Sequence, residues 1–288
     1  MYNNFVTFVP VKIQKYTHMT RISVKPKKHL GQHFLKDQEI AQRIADTLDA
    51  FSSLPILEVG PGTGVLTRYL LQKHRDLTVV EIDRESIAYL RENIPALSEK
   101  IVEQDFLHMN FSRYYSEAFC IIGNYPYNIS SQIFFKVLEN KEMIPCCSGM
   151  IQKEVAERMT ALPGSKTYGI LSVLLQAWYD IEYLFTVNEQ AFIPPPKVKS
   201  AVVRLTRNKR KRLNCNEKLF KTVVKTSFNQ RRKMLRNSIK SLLSEEAPMP
   251  DDPMLNKRPE QLSIEQFEYL TNLLEPLVKK PQSEERKT

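Results

Sequence analysis

The chain has 288 residues, of which 42% are hydrophobic, and this composition excludes a disordered or fibrous protein. Lys and Arg number 42 against 32 Asp and Glu, so the net charge of +10 favours a polyanionic partner such as a nucleic acid. The four cysteines show neither metal-ligand spacing nor a disulfide framework, which predicts a reducing cytoplasm and no bound metal.

Residues 1–20 lack clear hydrophobic periodicity, and we expect a flexible N-terminal arm there. The arm has only a short apolar patch and no cationic start, so it does not resemble a signal peptide. No run of the chain approaches the length of a membrane span. These features predict a soluble, cytoplasmic protein without a membrane partner, and we expect a monomer.

Strand and helix patterns alternate between residues 40 and 124. Residues 40–48 predict a helix because apolar side chains recur there at helical spacing. The predicted strands are "PILEVG", "LTVVEID", "IVEQDFL" and "FCIIGN", and "VLTRYLLQK" and "RESIAYLREN" are the predicted helices among them. This alternation predicts an α/β fold with a parallel, doubly wound sheet.

The second half of the chain changes character. "SSQIFFKVLEN" and "KEVAERM" predict helices, and "IEYLFTV" and "SAVVRLT" predict strands that pair as an antiparallel hairpin at the sheet edge, since no helix separates them. Beyond the charged run "RNKRKR" the patterns are helical, ending in a helix that Ser263 and Gln266 cap reciprocally. We therefore predict an α/β domain over residues 21–210 and a small, all-helical, RNA-binding domain over residues 211–288.

Three glycines in "ILEVGPGTG" follow a predicted strand and precede a helix. Gly60, Gly62 and Gly64 allow the backbone to approach a ligand closely. A dinucleotide-binding G-x-G-x-x-G turn would need a glycine where Val65 stands. The pattern E-x-G-x-G-x-G instead resembles the first motif of S-adenosyl-L-methionine (SAM)-dependent methyltransferases, so we expect Gly60 and Gly62 to bind SAM.

Two acidic residues end later strands at the same edge of the predicted sheet. Glu81 ends "TVVE", where its carboxylate can accept both ribose hydroxyls of a nucleoside. Asp105, in "EQDF", is placed to accept a hydrogen bond from an adenine amino group. Either carboxylate could instead serve only as a helix cap.

The stretch "GNYPYNIS" follows the last strand of this set. Asn124 to Tyr127 matches the N/D-P-P-Y type motif of enzymes that methylate exocyclic amino groups of bases. We expect the Asn124 side-chain oxygen and the Tyr125 backbone carbonyl to accept the two N–H groups of an adenine N6, which aims its lone pair at the methyl group. Pro126 would stiffen the turn, and Tyr127 would stack on the extruded base.

Taken together, these motifs resemble the bacterial 16S rRNA adenine-N6,N6 dimethyltransferase family over residues 25 to 275. The motifs that carry the resemblance are "KKHLGQHFL", "EVGPGTGVLT", "VVEIDR", "GNYPYNIS", "QKEVAERM", "FIPPPKVKSAVVRL" and "FNQRRKMLRNSI". The resemblance implies a Rossmann-like class I SAM-dependent methyltransferase sheet followed by the helical domain. It also implies that SAM donates two methyl groups to each of two adjacent adenosines near the 3′ end of 16S rRNA, in an immature small ribosomal subunit.

The resemblance assigns roles to individual residues. The implied cofactor contacts are His33, Leu35, Gly60, Glu81, Asp105 and Asn124. Phe192, in "AFIPPP", would form a second face of the adenine pocket. Two residues depart from the family pattern, because His33 stands where asparagine is frequent and Tyr125 where leucine is usual.

Basic residues cluster in "RNKRKR" and "RRKMLR". If residues 217–243 formed one helix, Arg232 and Arg236 would share a face with four lysines and could bind rRNA phosphates, although residues 227–230 could break that helix. A charged face that only meets solvent is the alternative.

Two other functions remain open. One is a 23S rRNA adenine-N6 methyltransferase of the macrolide-resistance type, which shares the cofactor and N-x-P-Y motifs. The other is a non-catalytic RNA-binding assembly factor that retains the fold.

Overall fold

A seven-stranded sheet forms the centre of the molecule, in a computed structural model that describes residues 24–73 and 76–279. The strands of the described residues are β1 (Phe34–Leu35), β2 (Ile56–Val59), β3 (Leu77–Glu81), β4 (Ile101–Glu103), β5 (Cys120–Asn124), β6 (Cys146–Gln152), β7 (Tyr179–Val187), β8 (Phe192–Ile193) and β9 (Ser200–Arg207). The sheet order is β4-β3-β2-β5-β6-β9-β7, while β1 and β8 form a separate antiparallel pair.

Helices cover both faces of the sheet. The helices of the described residues are α1 (Gln38–Asp46), α2 (Val65–Gln72), α3 (Arg84–Asn93), α4 (Ser130–Glu139), α5 (Lys153–Thr160), α6 (Ile170–Gln176), α7 (Glu217–Asn229), α8 (Leu235–Ser238) and α9 (Ile264–Leu274). Adjacent residues of β2 point to opposite faces, and both Ile56 and Leu57 are fully buried, each in a different apolar cluster. Burial on both faces explains why the strand sequence is continuously apolar instead of alternating.

Strand pairing places a ligand crevice between β2 and β5. From β2 the chain runs outward through β3 and β4, then crosses back to β5 on the other side of β2, and all of these pairs are parallel. The carboxyl ends of strands at such a reversal of strand order form a crevice where ligands bind in open α/β sheets. The fold therefore confirms the predicted doubly wound sheet and positions the site.

The edge hairpin predicted from the sequence is also confirmed. β7 and β9 pair antiparallel, with a register shift between Tyr183 and Phe185, and β9 pairs antiparallel with β6. The sequence analysis had not predicted β6. Its segment "CCSGMIQ" contains serine and glycine, and the close packing that requires Gly149 becomes visible only in three dimensions.

Residues 211–279 contain α7, α8 and α9, and their apolar side chains join the core of one sheet face. Helix α7 ends at Asn229, so residues 217–243 do not form one continuous helix. The break considered at residues 227–230 is therefore present, and the six cations do not share one face of a single helix. The domain limits at 210 and 211 stay a prediction, and the predicted arm over residues 1–20 lies outside the described residues.

In residues 24–73 and 76–279, no helix combines the length and the apolar character that a bilayer span requires. Within the same ranges, no group of His, Cys, Asp and Glu side chains is arranged to hold a metal ion.

Candidate active site

A cavity with about 820 Å³ of empty space opens at the carboxyl ends of β2, β3 and β5. Its walls come from four parts of the chain: the segment before and within β1, the glycine turn after β2, the ends of β3 and β4, and the turn after β5. The lining residues are Leu30 to Phe34, Gly60, Gly62, Glu81, Ile82, Asp105, Leu107 and Asn124 to Ile129. The cavity thus brings together most of the site residues predicted from the sequence.

The glycine turn has a backbone that other residues rarely adopt. Gly60, Gly62 and Gly64 have φ angles of 65°, 56° and 75°. At Gly62 a Cβ atom would also lie 2.9 Å from Cε1 of Phe34, so only glycine lets the β1 segment lie against the turn. The turn and the β1 segment therefore form two walls of one cleft.

Glu81 fixes the glycine turn to the end of β3. Its two carboxylate oxygens accept hydrogen bonds from the backbone N–H groups of Gly62 at 3.2 Å, Ile82 at 2.9 Å and Asp83 at 2.9 Å. Burial raises the pKa of Glu81, while these three donors act in the opposite direction. Oε1 already accepts two bonds and Oε2 only one, so Oε2 has the larger remaining capacity for a ribose hydroxyl.

Asp105 lines the cavity two residues beyond the end of β4, the strand next to β3, and is about one third exposed. One carboxylate oxygen caps the next helical turn at Leu107 N, at 2.8 Å, and the other contacts Nδ1 of His108 at 2.9 Å. The carboxylate is therefore both a cap and an accessible acceptor at the cavity wall. Ile82 and Leu107 add apolar wall beside it, and the exposed Ile82 side chain was missed by the sequence analysis although it directly follows Glu81.

Glu58 is a second residue that the sequence analysis missed. Its side chain lies under the glycine turn, lines a smaller cavity shared with Leu35, Gly62 and Asn124, and is 1% exposed. Its Oε2 has no hydrogen-bond partner among the described residues. Burial raises the pKa of Glu58 to about 8. The signal was present in the sequence, because Glu58 is the acidic residue of E-x-G-x-G-x-G.

The side-chain amide of Asn124 has a defined direction. Its Nδ2 donates a hydrogen bond to the backbone carbonyl of His33 at 2.9 Å. Because a carbonyl oxygen can only accept, this bond requires the amide nitrogen to face His33 and leaves Oδ1 directed elsewhere. Oδ1 accepts no hydrogen bond within residues 24–73 and 76–279. The asparagine thus keeps a free oxygen at the cavity wall, as the predicted role requires.

Tyr125 lines the cavity only through its backbone. Its side chain is 1% exposed, and its hydroxyl donates to the backbone carbonyl of Ser148 at 2.7 Å. A Cβ on Gly123 or Gly149 would lie 2.9 Å or 2.6 Å from atoms of the Tyr125 ring, so these glycines make room for it. The departure from leucine at this position is therefore an adjustment of the core, and the backbone carbonyl remains available for the predicted role.

Tyr127 presents an aromatic face beside Asn124. Its ring lies against the His33 ring, with centroids 5.3 Å apart and planes inclined by 29°, and its hydroxyl is hydrogen-bonded to Oγ of Ser200. The ring Nδ1 of His33 lies 2.8 Å from the backbone carbonyl of Pro194. The Tyr127 ring is thus held by its contact with the His33 ring and by the hydrogen bond of its hydroxyl to Ser200.

A short segment holds the β1 side of the cavity in place. Lys27 forms ion pairs with Asp83 and, at 3.2 Å, with Glu85, and Gln32 lies 3.4 Å from Asp83. Asp83 is the N-cap of α3, two residues beyond Glu81. Residues 27–35 therefore cross the cavity as a strap, a name used below for this segment.

Three predicted substrate residues do not lie in the cavity. Phe192 is fully buried and pairs with Leu35 in the β1–β8 sheet. It therefore does not form a face of the adenine pocket in this arrangement. The pairing of β8 with β1, which the sequence does not reveal, directs its side chain into the core. Arg232 is exposed and Arg236 is partly buried, in the turn and helix after α7. The Arg236 Nε atom has no hydrogen-bond partner in the described part of the chain.

The walls fit a ligand such as SAM, which joins an adenosine to a positively charged amino acid. Glu81 Oε2 and Asp105 can accept from ribose and adenine, and the apolar Ile82 can cover the base. The unpartnered, buried carboxylate of Glu58 suits the positive end of the ligand, because a cation nearby stabilises its ionised form. Asn124 and Tyr127 lie beyond, where a second, planar nitrogen-bearing substrate can meet the donor.

The family model and two similar proteins that match this chain are all named as rRNA methyltransferases. Residues 23–275 match the family model of ribosomal RNA adenine dimethylase. The chain is 69% identical to "Ribosomal RNA small subunit methyltransferase A" of Parabacteroides distasonis, over 86% of this chain and 93% of the relative. The protein of the same name from Bacteroides fragilis is 65% identical over 90% of this chain and 95% of the relative.

Two solved structures resemble the whole fold. The dimethyladenosine transferase from Plasmodium falciparum has a TM-score of 0.68 and 26% identity, and covers 84% of this chain and 97% of its own. The 23S rRNA methyltransferase ErmE has a TM-score of 0.60 and 28% identity, and covers 82% of this chain and 99% of its own.

Proposed function

Because the chain belongs to the ribosomal RNA adenine dimethylase family, we propose that it dimethylates the N6 atoms of two adjacent adenosines near the 3′ end of 16S rRNA. It is a SAM-dependent rRNA methyltransferase, and the relatives above carry the name of a small-subunit enzyme. An immature small ribosomal subunit in the cytoplasm would be its partner. The direction of the Asn124 amide carries the proposal, because it leaves Oδ1 without a partner among the described residues and able to accept from a base N–H group.

The proposed cofactor residues bind and orient SAM, which supplies an electrophilic methyl group. Glu81 would accept from ribose, Asp105 from the adenine amino group, and Gly60 and Gly62 would let the backbone approach. His33, through its backbone, and Leu35 would contribute walls of the same cleft. Glu58 would oppose the positive charge of the amino-acid end.

The reaction requires the lone pair of the target nitrogen to point at the methyl group. Asn124 Oδ1 and the Tyr125 carbonyl would accept its two N–H groups, while Pro126 fixes the turn and Tyr127 supports the plane of the base. Both acceptors are held before substrate arrives, so orientation supplies most of the rate enhancement. The proton released after transfer can pass to water, and no strong base is required.

Methylation assays test this proposal directly. Purified enzyme with labelled SAM should methylate small subunits from cells lacking the gene, and mass spectrometry should locate dimethyladenosine at two adjacent positions of 16S rRNA. Methylation of large subunits alone would favour the 23S alternative, for which the likeness to ErmE is the supporting observation. Binding of SAM without any transfer would favour the non-catalytic alternative.

A further inference from the structure

The ring of His33 joins three segments that are far apart in sequence. It lies on the strap, stacks against Tyr127 of the turn after β5, and its Nδ1 is 2.8 Å from the carbonyl of Pro194 in the segment after β8. Because a carbonyl oxygen only accepts, Nδ1 carries a proton and donates it. The ring is therefore held by one directional bond and one stacking contact.

The geometry also determines which face of Tyr127 a base can use. A base inserted between two rings needs centroids about 7 Å apart, which is twice the normal contact distance of stacked planes. The His33 and Tyr127 centroids are only 5.3 Å apart, and the Tyr127 hydroxyl is bonded to Ser200. A base therefore cannot enter between the two rings and must stack on the other face of Tyr127.

We propose that His33 is a positioning residue for the target base. Its imidazole packs against one face of the Tyr127 ring and ties that ring to Pro194. This inference rests on the proposed function. The two parts of the residue have separate tasks: the backbone carbonyl of His33 directs the amide of Asn124, whatever the side chain, and the imidazole fixes the plane on which the adenine stacks. Replacement of the side chain therefore tests the two imidazole contacts without removing the backbone carbonyl.

Three substitutions separate stacking from hydrogen bonding. His33→Ala removes both contacts, His33→Asn retains a donor for Pro194 without a ring, and His33→Phe retains the ring without a donor. We expect Ala and Asn to lower kcat/KM for the RNA about threefold to tenfold, as loss of one aromatic pair predicts, and Phe to recover most of it. The dissociation constant for SAM, measured by calorimetry, should change less than about twofold in all three variants.

The opposite pattern would overturn the proposal. If Asn matched the native enzyme while Phe did not, the hydrogen bond and not the ring would matter. If the Ala variant bound SAM more weakly but used RNA as efficiently as the native enzyme, His33 would serve the cofactor only.

A second measurement does not depend on methyl transfer. The target adenosine in the RNA is replaced by 2-aminopurine, whose fluorescence is quenched by stacking, and the RNA is bound to the full chain with S-adenosylhomocysteine. Native enzyme and His33→Phe should quench it more than His33→Asn. If the quenching is equal in all variants, this inference is wrong and the proposed function is unaffected. If the quenching follows the expected order but the native chain transfers no methyl group, the proposed function is wrong.

Discussion

At the scale of single residues, Asn124 is held by its neighbours before any substrate binds. The bond from its Nδ2 to the His33 carbonyl fixes the amide, so the remaining oxygen needs no reorganisation when a base arrives. A preorganised acceptor contributes more to rate than one that must first be turned. The same bond couples the strap to the site of the proposed reaction.

Asn124→Ala should lower kcat by about 100-fold or more, the effect typical of losing one preorganised hydrogen-bonding group. The fold should persist, because the residue is only partly buried. Methyl transfer to small subunits under saturating SAM measures the loss, and circular dichroism monitors the fold. Asn140→Ala is the matched control, since Asn140 lies at the end of α4, outside the cavity, and within the described residues its side chain is hydrogen-bonded only to the Lys136 carbonyl. Equal turnover in the two variants would contradict the assigned role.

Glu58 predicts a dependence of stability on pH. Burial raises its pKa from 4.5 to about 8, so between these values the folded chain holds a proton that the unfolded chain has lost. The free energy of unfolding should therefore fall as pH rises from about 4.5 to about 8, by up to about 5 kcal/mol from this group, and level off above.

Glu58→Gln should remove that contribution, because an amide does not titrate. Urea denaturation between pH 5 and pH 8 measures the free energy of unfolding of the native protein and of the Glu58→Gln variant. As pH rises, the stability of the variant relative to the native protein should increase. Glu154→Gln is the control, since Glu154 is exposed on α5. Parallel curves for the native protein and the Glu58→Gln variant would show that Glu58 titrates normally.

At the scale of elements, the strap is attached to the rest of the molecule by a small set of contacts. It pairs with β8 through two residues of β1, is tied to α3 by Lys27 and Gln32, and is hydrogen-bonded through His33 to Asn124 and Pro194. Segments with few buried contacts open locally more easily than core strands. Because residues 30–34 line the cavity, opening of the strap would widen the path by which a bound cofactor leaves.

Lys27→Ala should loosen the strap. Loss of the ion pairs with Asp83 and Glu85 should speed hydrogen exchange at residues 31–34 and raise the dissociation rate of SAM by up to about fivefold, the range of a surface ion pair. Lys28→Ala is the matched control, because Lys28 has the same charge and its side chain has no ion pair within the described residues. Exchange that rises equally in both variants would point to a general charge effect.

At the scale of the whole molecule, basic residues that look alike in the sequence have different tasks. Arg207 stacks on Trp178, 4.9 Å from the ring centroid, and Arg210 forms ion pairs with Glu265 and the buried Glu268 of α9. Of these two cations of "RNKRKR", Arg207 packs within the α/β part, and Arg210 attaches α9 to the end of β9. By contrast, Arg232 has no ion pair among the described residues and remains available to a polyanion.

Arg210→Ala should therefore lower the free energy of unfolding, by about 3 kcal/mol, because it leaves the Glu268 charge buried without its partner. Replacing Arg232 and Arg236 together with Ala should leave the melting temperature almost unchanged. That double variant should instead weaken binding to small subunits and reduce the salt dependence of binding by about one to two units of slope. An unchanged slope would exclude this surface from RNA binding.

Features that depend on neighbours in the chain could be predicted from the sequence alone. The glycine turn needs positive φ angles within a few residues, and the capping box of α9 joins Ser263 to Gln266, three positions away. Continuous apolar runs similarly located β2, β3 and β5, since burial on both faces requires such a run, whereas β6, which contains serine and glycine, was missed. Local physics was sufficient in each of these cases except β6.

The long-range contacts of each side chain follow from the packing of the folded chain and could not be predicted from the sequence. Phe192 is buried because β8 pairs with β1, Tyr125 packs against two glycines from different strands, and α7 ends at Asn229. The ring of His33 likewise lies against Tyr127, 94 positions later in the chain. Such contacts depend on how strands far apart in sequence meet at one edge of the sheet, and no pattern within a single segment encodes that meeting.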